Sequence, residues 1–309
     1  MKETPNYYIH PNSPSYLSKL LELLLKIQRK KFAFEKAMNS YQKSKKISKE
    51  IYEFPKPPKF MFSKKTYQVQ SFQNRNVFVF NPQKEEKISI LILVLHGGAF
   101  LRSFYLFHWL MIKKLQKISS AIIYAPDYPT VPHYKYKEII AFCKNFYDYL
   151  KTNEKDIIII GDSAGGNLAL VLLQKLSKDE MPKKVILFSP WVDLSMENPK
   201  IENIESKDFI LTRNGLMMAG KLYSENNPKN PEVSPLYHPY DFLPEIHLFM
   251  GTHDILFPDA KEFFFKNPHP SFYFYEYPYM QHDWMILDLI PFDEAKDVWL
   301  KVRDILNDT

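Results

Sequence analysis

The chain has 309 residues, 45% of them apolar, and a net charge of +6, which is enough to bury the core of one large α/β domain. No apolar run approaches the ~18 residues that a membrane-spanning helix requires; the leucine-rich stretch 20–25 is interrupted by Glu22 and followed by Arg29, Lys30 and Lys31, so neither a spanning helix nor a signal peptide is expected. The single cysteine, Cys143, excludes an intrachain disulfide, no Cys/His spacing suggests a metal site, and this usage favours a reducing cytoplasm.

The charge is uneven along the chain. Residues 1–66 carry 15 Lys and Arg against 5 Asp and Glu, leaving 26 against 30 for residues 67–309. A basic head can attract nucleic acid or anionic lipid, but lysine-rich solvated faces are the ordinary outcome of such a composition, and nucleic acid is not expected as a partner. Within this head, YLSKLLELLLKIQRKKFAF (16–34) places Leu17, Leu20, Leu21, Leu24 and Gln28 near helical spacing with lysines between them, which predicts an amphipathic helix. FPKPPKF (54–60) then stops helix formation, because proline lacks an N–H and restricts its neighbour. Residues 1–60 therefore read as an appendage, and the main domain as 61–309.

Beyond it, β-rich runs fall at 66–72, 76–80, 88–95, 120–125, 156–160, 184–189, 245–250 and 271–277. Helical patterns lie between most of the later ones, at about 105–118, 136–150, 163–178 and 258–266, with a last helix near 293–307. Strands alternating with helices, and strands that are apolar almost throughout, predict a mostly parallel eight-stranded sheet covered by helices on both faces.

The scarcest structural residue marks the site. Five of the eight glycines lie in two short loops, HGGAF (96–100) and GDSAGG (161–166). The second has the form G-x-S-x-G between a buried strand, DIIII, and a helix, so Ser163 is expected on a tight strand-to-helix turn at the carboxyl edge of the sheet. The first ends another buried strand in His96, Gly97, Gly98 and Ala99, an arrangement that can turn backbone N–H groups toward a developing negative charge.

The pairing of HGGAF upstream with GDSAGG downstream resembles the hormone-sensitive-lipase-like family of α/β-hydrolases. The resemblance continues through SPWVDLS (189–195), NPKNPEVSPLY (227–237), GTHDILFPDA (251–260) and QHDW (281–284), and covers residues 90 to 300 well and the first 60 poorly. It implies the α/β-hydrolase fold and a triad in the order Ser163, Asp254, His282, with Ser163 as nucleophile, His282 as base and Asp254 orienting the imidazole. It maps the oxyanion donors to the amides of Gly98, Ala99 and Ala164, with Gly97 as a spacer in the same loop. No cofactor is implied.

Other residues compete for these roles. Asp193 also ends a strand and reads as a structural hydrogen-bonding residue; His253 is turned away from the base role if Asp254 points inward; His96 reads as orienting the backbone of its loop; and Asp283 reads as a solvated loop residue. Two departures from the family stand out: Ala99 replaces a frequent third glycine, and YPTVPHY (128–134) replaces an Arg-Leu-Ala-Pro-Glu pattern, so the packing near Asp127 is expected to differ. By resemblance, residues 1–60 and an insertion at about 195–230 form a cap over the serine. The implied function is a serine carboxylesterase acting on short- to medium-chain acyl esters, acetyl esters included, as a cytoplasmic monomer or homodimer. The alternatives are a membrane-surface lipid hydrolase and a non-catalytic ligand-binding protein on the same fold.

Overall fold

The computed structural model describes residues 6–28, 35–36, 38–39, 55–63, 65–80, 90–153, 155–287 and 292–308. One nine-stranded sheet runs through these residues. Its strands, in chain order, are β1 (Tyr7–Ile9), β2 (Tyr67–Phe72), β3 (Arg75–Phe80), β4 (Ile90–Leu95), β5 (Ile122–Pro126), β6 (Asp156–Asp162), β7 (Lys184–Phe188), β8 (Glu245–Gly251) and β9 (Phe272–Tyr277). They lie side by side in the order β1-β9-β8-β7-β6-β4-β5-β3-β2. Only the contacts of β3, with β2 and with β5, are antiparallel; the others are parallel.

Side-chain alternation on these strands sorts the core into two layers. Ile157 and Ile159 join Leu91, Leu93 and Leu95 on one face. Ile158 and Ile160 join Ile92, Val94, Ile186 and Phe188 on the other. A strand buried on both faces has no polar side, which is why DIIII is uninterrupted. The first face is covered by α3 (Tyr136–Lys151), α4 (Ser163–Leu173) and α7 (Phe257–Lys266). The second is covered by α2 (Leu106–Ile118) and α8 (Asp293–Asn307).

All eight predicted strands are present where described, although residues 88–89 of the 88–95 run lie outside the described residues. The ninth, β1, is a correction to the eight-stranded expectation. It pairs with β9, placing Tyr7 opposite Phe274 with their rings stacked 5.2 Å apart. Three residues are too few to show a period of two, so pairing rather than pattern makes this a strand. It also means that the first 60 residues are not wholly an appendage, because Tyr7–Ile9 complete the edge of the main sheet. The helix predicted over 163–178 stops at Leu173, after which Ser177 and Glu180 cap a separate short turn through Glu180 Oε2.

The N-terminal helix, α1 (Tyr16–Gln28), forms as predicted, and its expected continuation through Arg29, Lys30 and Lys31 lies outside the described residues. Its inner face holds Ser18 and Leu25, both buried, and Ser18 and Ser15 hydrogen-bond the Glu294 carboxylate at the start of α8. The leucine stripe is divided between inside and outside. Of its predicted members Leu17 and Leu24 are exposed and Leu20 and Leu21 half-buried, while the buried leucine is Leu25, outside the predicted stripe. The insertion contains two helices, α5 (Glu202–Glu205) and α6 (Arg213–Tyr223), the latter capped by the Thr212 hydroxyl on the Gly215 amide. None of the described helices is long and apolar enough to cross a membrane.

Candidate active site

Ser163 is the first residue of α4, immediately after β6, and its φ is +51°. A non-glycine residue held in this left-handed region costs on the order of 1 kcal/mol or more, so the surrounding turn must enforce it. Gly165 shows how. A Cβ there would run into the Leu95 carbonyl oxygen at the end of β4, so only glycine lets the elbow press this closely against the neighbouring strand. Gly165→Ala is therefore expected to lower stability by about 2–3 kcal/mol; an unchanged melting temperature by calorimetry would mean that the elbow does not pack in this way.

The HGGAF loop is fastened to the same elbow. The Gly97 amide donates to Asp162 Oδ2 at 3.0 Å, and His108 Nε2 on α2 donates to the same oxygen at 3.1 Å. Burial alone would raise the Asp162 carboxyl, but His108, His96 and the Gly97 amide together hold it below the usual carboxylate range. The Gly97 N–H is thus already engaged. Gly98, Ala99 and Phe100 then take φ values of +113°, +54° and +62° in succession. Among the described residues no acceptor is found for the Gly98 and Ala99 amides, and Ala164, in the first turn of α4, has an N–H with no partner within its own helix.

His96 orients this loop. Its Nδ1 donates to the Gly97 carbonyl at 2.8 Å, its ring stacks on Tyr128 4.2 Å away, and the Tyr128 hydroxyl donates to the His96 carbonyl. Burial, reinforced by His108, pushes its pKa down to about 3, so it stays neutral. The departure at 128–134 is absorbed nearby, where Asp127 accepts from Arg75 at 3.0 Å and from Ser103 at 2.8 Å.

Asp254 and His282 meet because two loops extend the β8–β9 ladder past the strands. The Thr252 amide donates to Tyr277, and the His253 amide to Met280. The Asp254 carboxylate, fully buried, then accepts His282 Nδ1 at 2.8 Å on Oδ2 and the Leu256 amide at 2.9 Å on Oδ1. The His282 loop is joined toward the serine through two further links: the Asp283 amide donates to Ser189 Oγ just after β7, and the Trp191 amide donates to the Ser163 carbonyl. Ser163 and His282 are 8% and 5% exposed, so the site is sheltered from solvent. Among the described residues the Ser163 hydroxyl makes no hydrogen bond with His282.

The competing residues separate cleanly. Asp193 accepts from the Ser195 amide and hydroxyl and from the Tyr237 hydroxyl. His253 faces Glu22 of α1 at 3.5 Å and Tyr279 edge-on, away from the Asp254–His282 pair. Asp283 is a correction: it is buried, not solvated, and its Oδ2 lies 3.1 Å from His282 Nε2.

Two supporting residues went unnoticed in the sequence. Asp208 in the segment 195–230 accepts the Ile210 and Leu211 amides and the Ile255 amide, tying that segment to the loop that carries Asp254. Gln281 accepts the Phe209 amide and donates to the Lys207 carbonyl, tying the same segment to the loop that carries His282. Only the place of Gln281 beside His282 in QHDW hinted at this. A cavity of about 260 Å³ lined by Asn6, Phe265 and Phe272 opens at the amino end of β9, across the sheet from the serine, and has no part in the site.

Residues 92–286 match the family model described as alpha/beta hydrolase fold. An esterase of Acinetobacter venetianus is 34% identical over 180 residues, 56% of this chain and 59% of that protein. Esterase LipU of Mycobacterium tuberculosis is 28% identical over 181 residues, 55% of this chain and 61% of that protein. The chain thus spans about three-fifths of the length of these curated relatives. The crystal structure of a hormone-sensitive-lipase homologue, EstE7 from a metagenome library, superimposes with a TM-score of 0.76 at 23% identity, over 96% of this chain and 99% of that one, a likeness of fold. The model match extends from the HGGAF strand through the elbow to the His282 loop, and the chain belongs to the alpha/beta hydrolase fold family.

Proposed function

We propose that the protein is a serine carboxylesterase that cleaves short- to medium-chain acyl esters, acetyl esters included, through an acyl-enzyme intermediate. The observation that carries this reading is the buried 2.8 Å contact of His282 Nδ1 with Asp254, placed at the same sheet edge as a strained, unbonded Ser163. Ser163 attacks the ester carbonyl, His282 takes its proton on Nε2 and returns it to the leaving alcohol, and Asp254 holds the imidazole through Nδ1. The amides of Gly98, Ala99 and Ala164 receive the oxyanion. The relatives named esterases support the chemistry. Phe100, stacked 3.7 Å from Tyr223 of α6 and fully buried with it, sets rigid aromatic rings beside the oxyanion loop, which supports small acyl groups.

A panel of p-nitrophenyl esters of increasing acyl length tests this on the wild type and on Ser163→Ala. Turnover is expected to be highest at short to medium chains and lost in the variant. A fluorophosphonate should add its mass to a peptide containing Ser163. Hydrolysis by Ser163→Ala above a few per cent of wild type would sink the nucleophile.

The outer face of α1 favours a second reading, a hydrolase working at a lipid surface. Tyr16, Leu23 and Ile27 are 80%, 52% and 67% exposed, with Lys19 and Lys26 exposed beside them. The inner face supports the cap reading, since Glu22 reaches His253 and Ser18 reaches Glu294. Under the cap reading, removing residues 1–35 is expected to lower the melting temperature and change acyl-length preference, because β1 and the base-loop cover leave together. Salt-sensitive co-sedimentation of the wild type with anionic vesicles, with unchanged kinetics of the truncated protein on a water-soluble ester, selects the lipid-surface reading instead.

A further inference from the structure

His282 is bracketed by two carboxylates. Asp254 takes Nδ1, and Asp283 Oδ2 lies 3.1 Å from Nε2, the nitrogen that must accept the serine proton under the proposed triad. A carboxylate at that position competes with Ser163 for the working edge of the base.

Three features show that the position of Asp283 is built into the fold. Its backbone is held at φ +52°, and from there its Oδ2 reaches to 3.1 Å from the imidazole Nε2. Its amide is anchored on Ser189 Oγ at 3.1 Å, and Ser189 is itself fully buried just after β7 with φ +43°. Its carboxylate is buried, with Oδ1 lacking a hydrogen-bond partner among the described residues. A buried carboxylate with one unpaired oxygen is costly unless the other oxygen has a partner, and here the other, Oδ2, faces Nε2. The other charged groups facing the pair are carboxylates as well: Asp254 after β8, Asp162 at the end of β6, and Asp208 in the insertion.

We propose that Asp283 is a positioning residue for the base: it holds the Nε2 edge of His282 in the resting site, so that Nε2 must lose its proton and leave Asp283 before it can accept from Ser163. This rests on the triad reading. It also sets the sign of the pH dependence. Burial would lower the histidine pKa, but Asp283 and then Asp254 outweigh it and hold His282 well above its ordinary value. A base works only when neutral, so kcat/KM rises with pH, and its rising limb lies above the ordinary histidine range of about 6–7 rather than within it.

The test uses two variants whose backbones accept a positive φ, Asp283→Asn and Asp283→Gly. The titration of His282 is followed by NMR on histidine-labelled protein, its signal identified by its absence in His282→Gln. Both variants are expected to move the His282 midpoint down by about one unit or more. The rising limb of kcat/KM on p-nitrophenyl acetate should move with it, leaving Asp283→Asn about tenfold faster than wild type at pH 6. An unchanged midpoint in both folded variants overturns the proposal, as does a loss of activity by the same factor at every pH. If the wild type cleaves no ester, the functional reading fails while the NMR midpoints still decide the role of Asp283.

Discussion

Replacing Ser163 with alanine is expected to lower kcat on a water-soluble ester by on the order of 10⁵- to 10⁶-fold, and replacing His282 with glutamine by a similar factor. The losses should not add in the double variant, because nucleophile and base act on one proton. Folding should survive. The Ser163 hydroxyl donates to no described residue, and alanine meets the same backbone strain at φ +51° that serine already bears, so the alanine protein should melt close to wild type. Glutamine at 282 keeps a donor for the buried Asp254 carboxylate, which removal of the side chain would leave unpaired at a cost of about 3–5 kcal/mol. Single-turnover kinetics with circular dichroism on the same samples checks both halves. A folded Ser163→Ala protein that retains more than a few per cent of the rate would remove Ser163 from the chemistry.

How far the site could be read in advance depended on whether each residue's role was local. Ser163 was legible because strand, glycine turn and helix are contiguous, and Gly165 meets Leu95 through a collision that any side chain would cause. Asp254 and His282 were legible through their order after the serine and their places just past two strands, which the structure brings to 2.8 Å. Asp283 was not. Its neighbours in sequence suggest a polar loop, whereas its burial comes from Ser189, 94 positions away, and from the imidazole it faces. Asp208 and Gln281 failed to register for the same reason, since their partners Ile255 and Phe209 are joined to them only by folding. The stripe on α1 shows the converse limit. Helical spacing gave the element, but which leucines face inward depends on what the helix lies against, and here Ser18 and Leu25 are buried while Leu23 and Leu24 are not.

Asparagine at Asp254 and asparagine at Asp193 should give opposite results. Asp254 uses both oxygens, Oδ2 for His282 Nδ1 and Oδ1 for the Leu256 amide. An asparagine has one acceptor to share between two donors. If it keeps the Leu256 amide, its NH₂ faces Nδ1 and forces the proton onto Nε2, the tautomer that cannot take a proton from Ser163. A loss in kcat of about 10⁴-fold is expected, with the fold kept. Asp208 provides an independent readout, since burial and the adjacent Asp254 charge push its carboxyl up to about 6, and neutralising Asp254 should bring it down. Asp193 spends its oxygens on Ser195 and Tyr237, and asparagine there can still accept from the Ser195 amide. Asp193→Asn should therefore cost about 1–3 kcal/mol of stability through its weakened buried hydrogen bonds and leave kcat within a few-fold of wild type. A near-silent Asp254→Asn beside a dead but folded Asp193→Asn would transfer the acid to the loop after β7, and the 2.8 Å contact with His282 would then be structural.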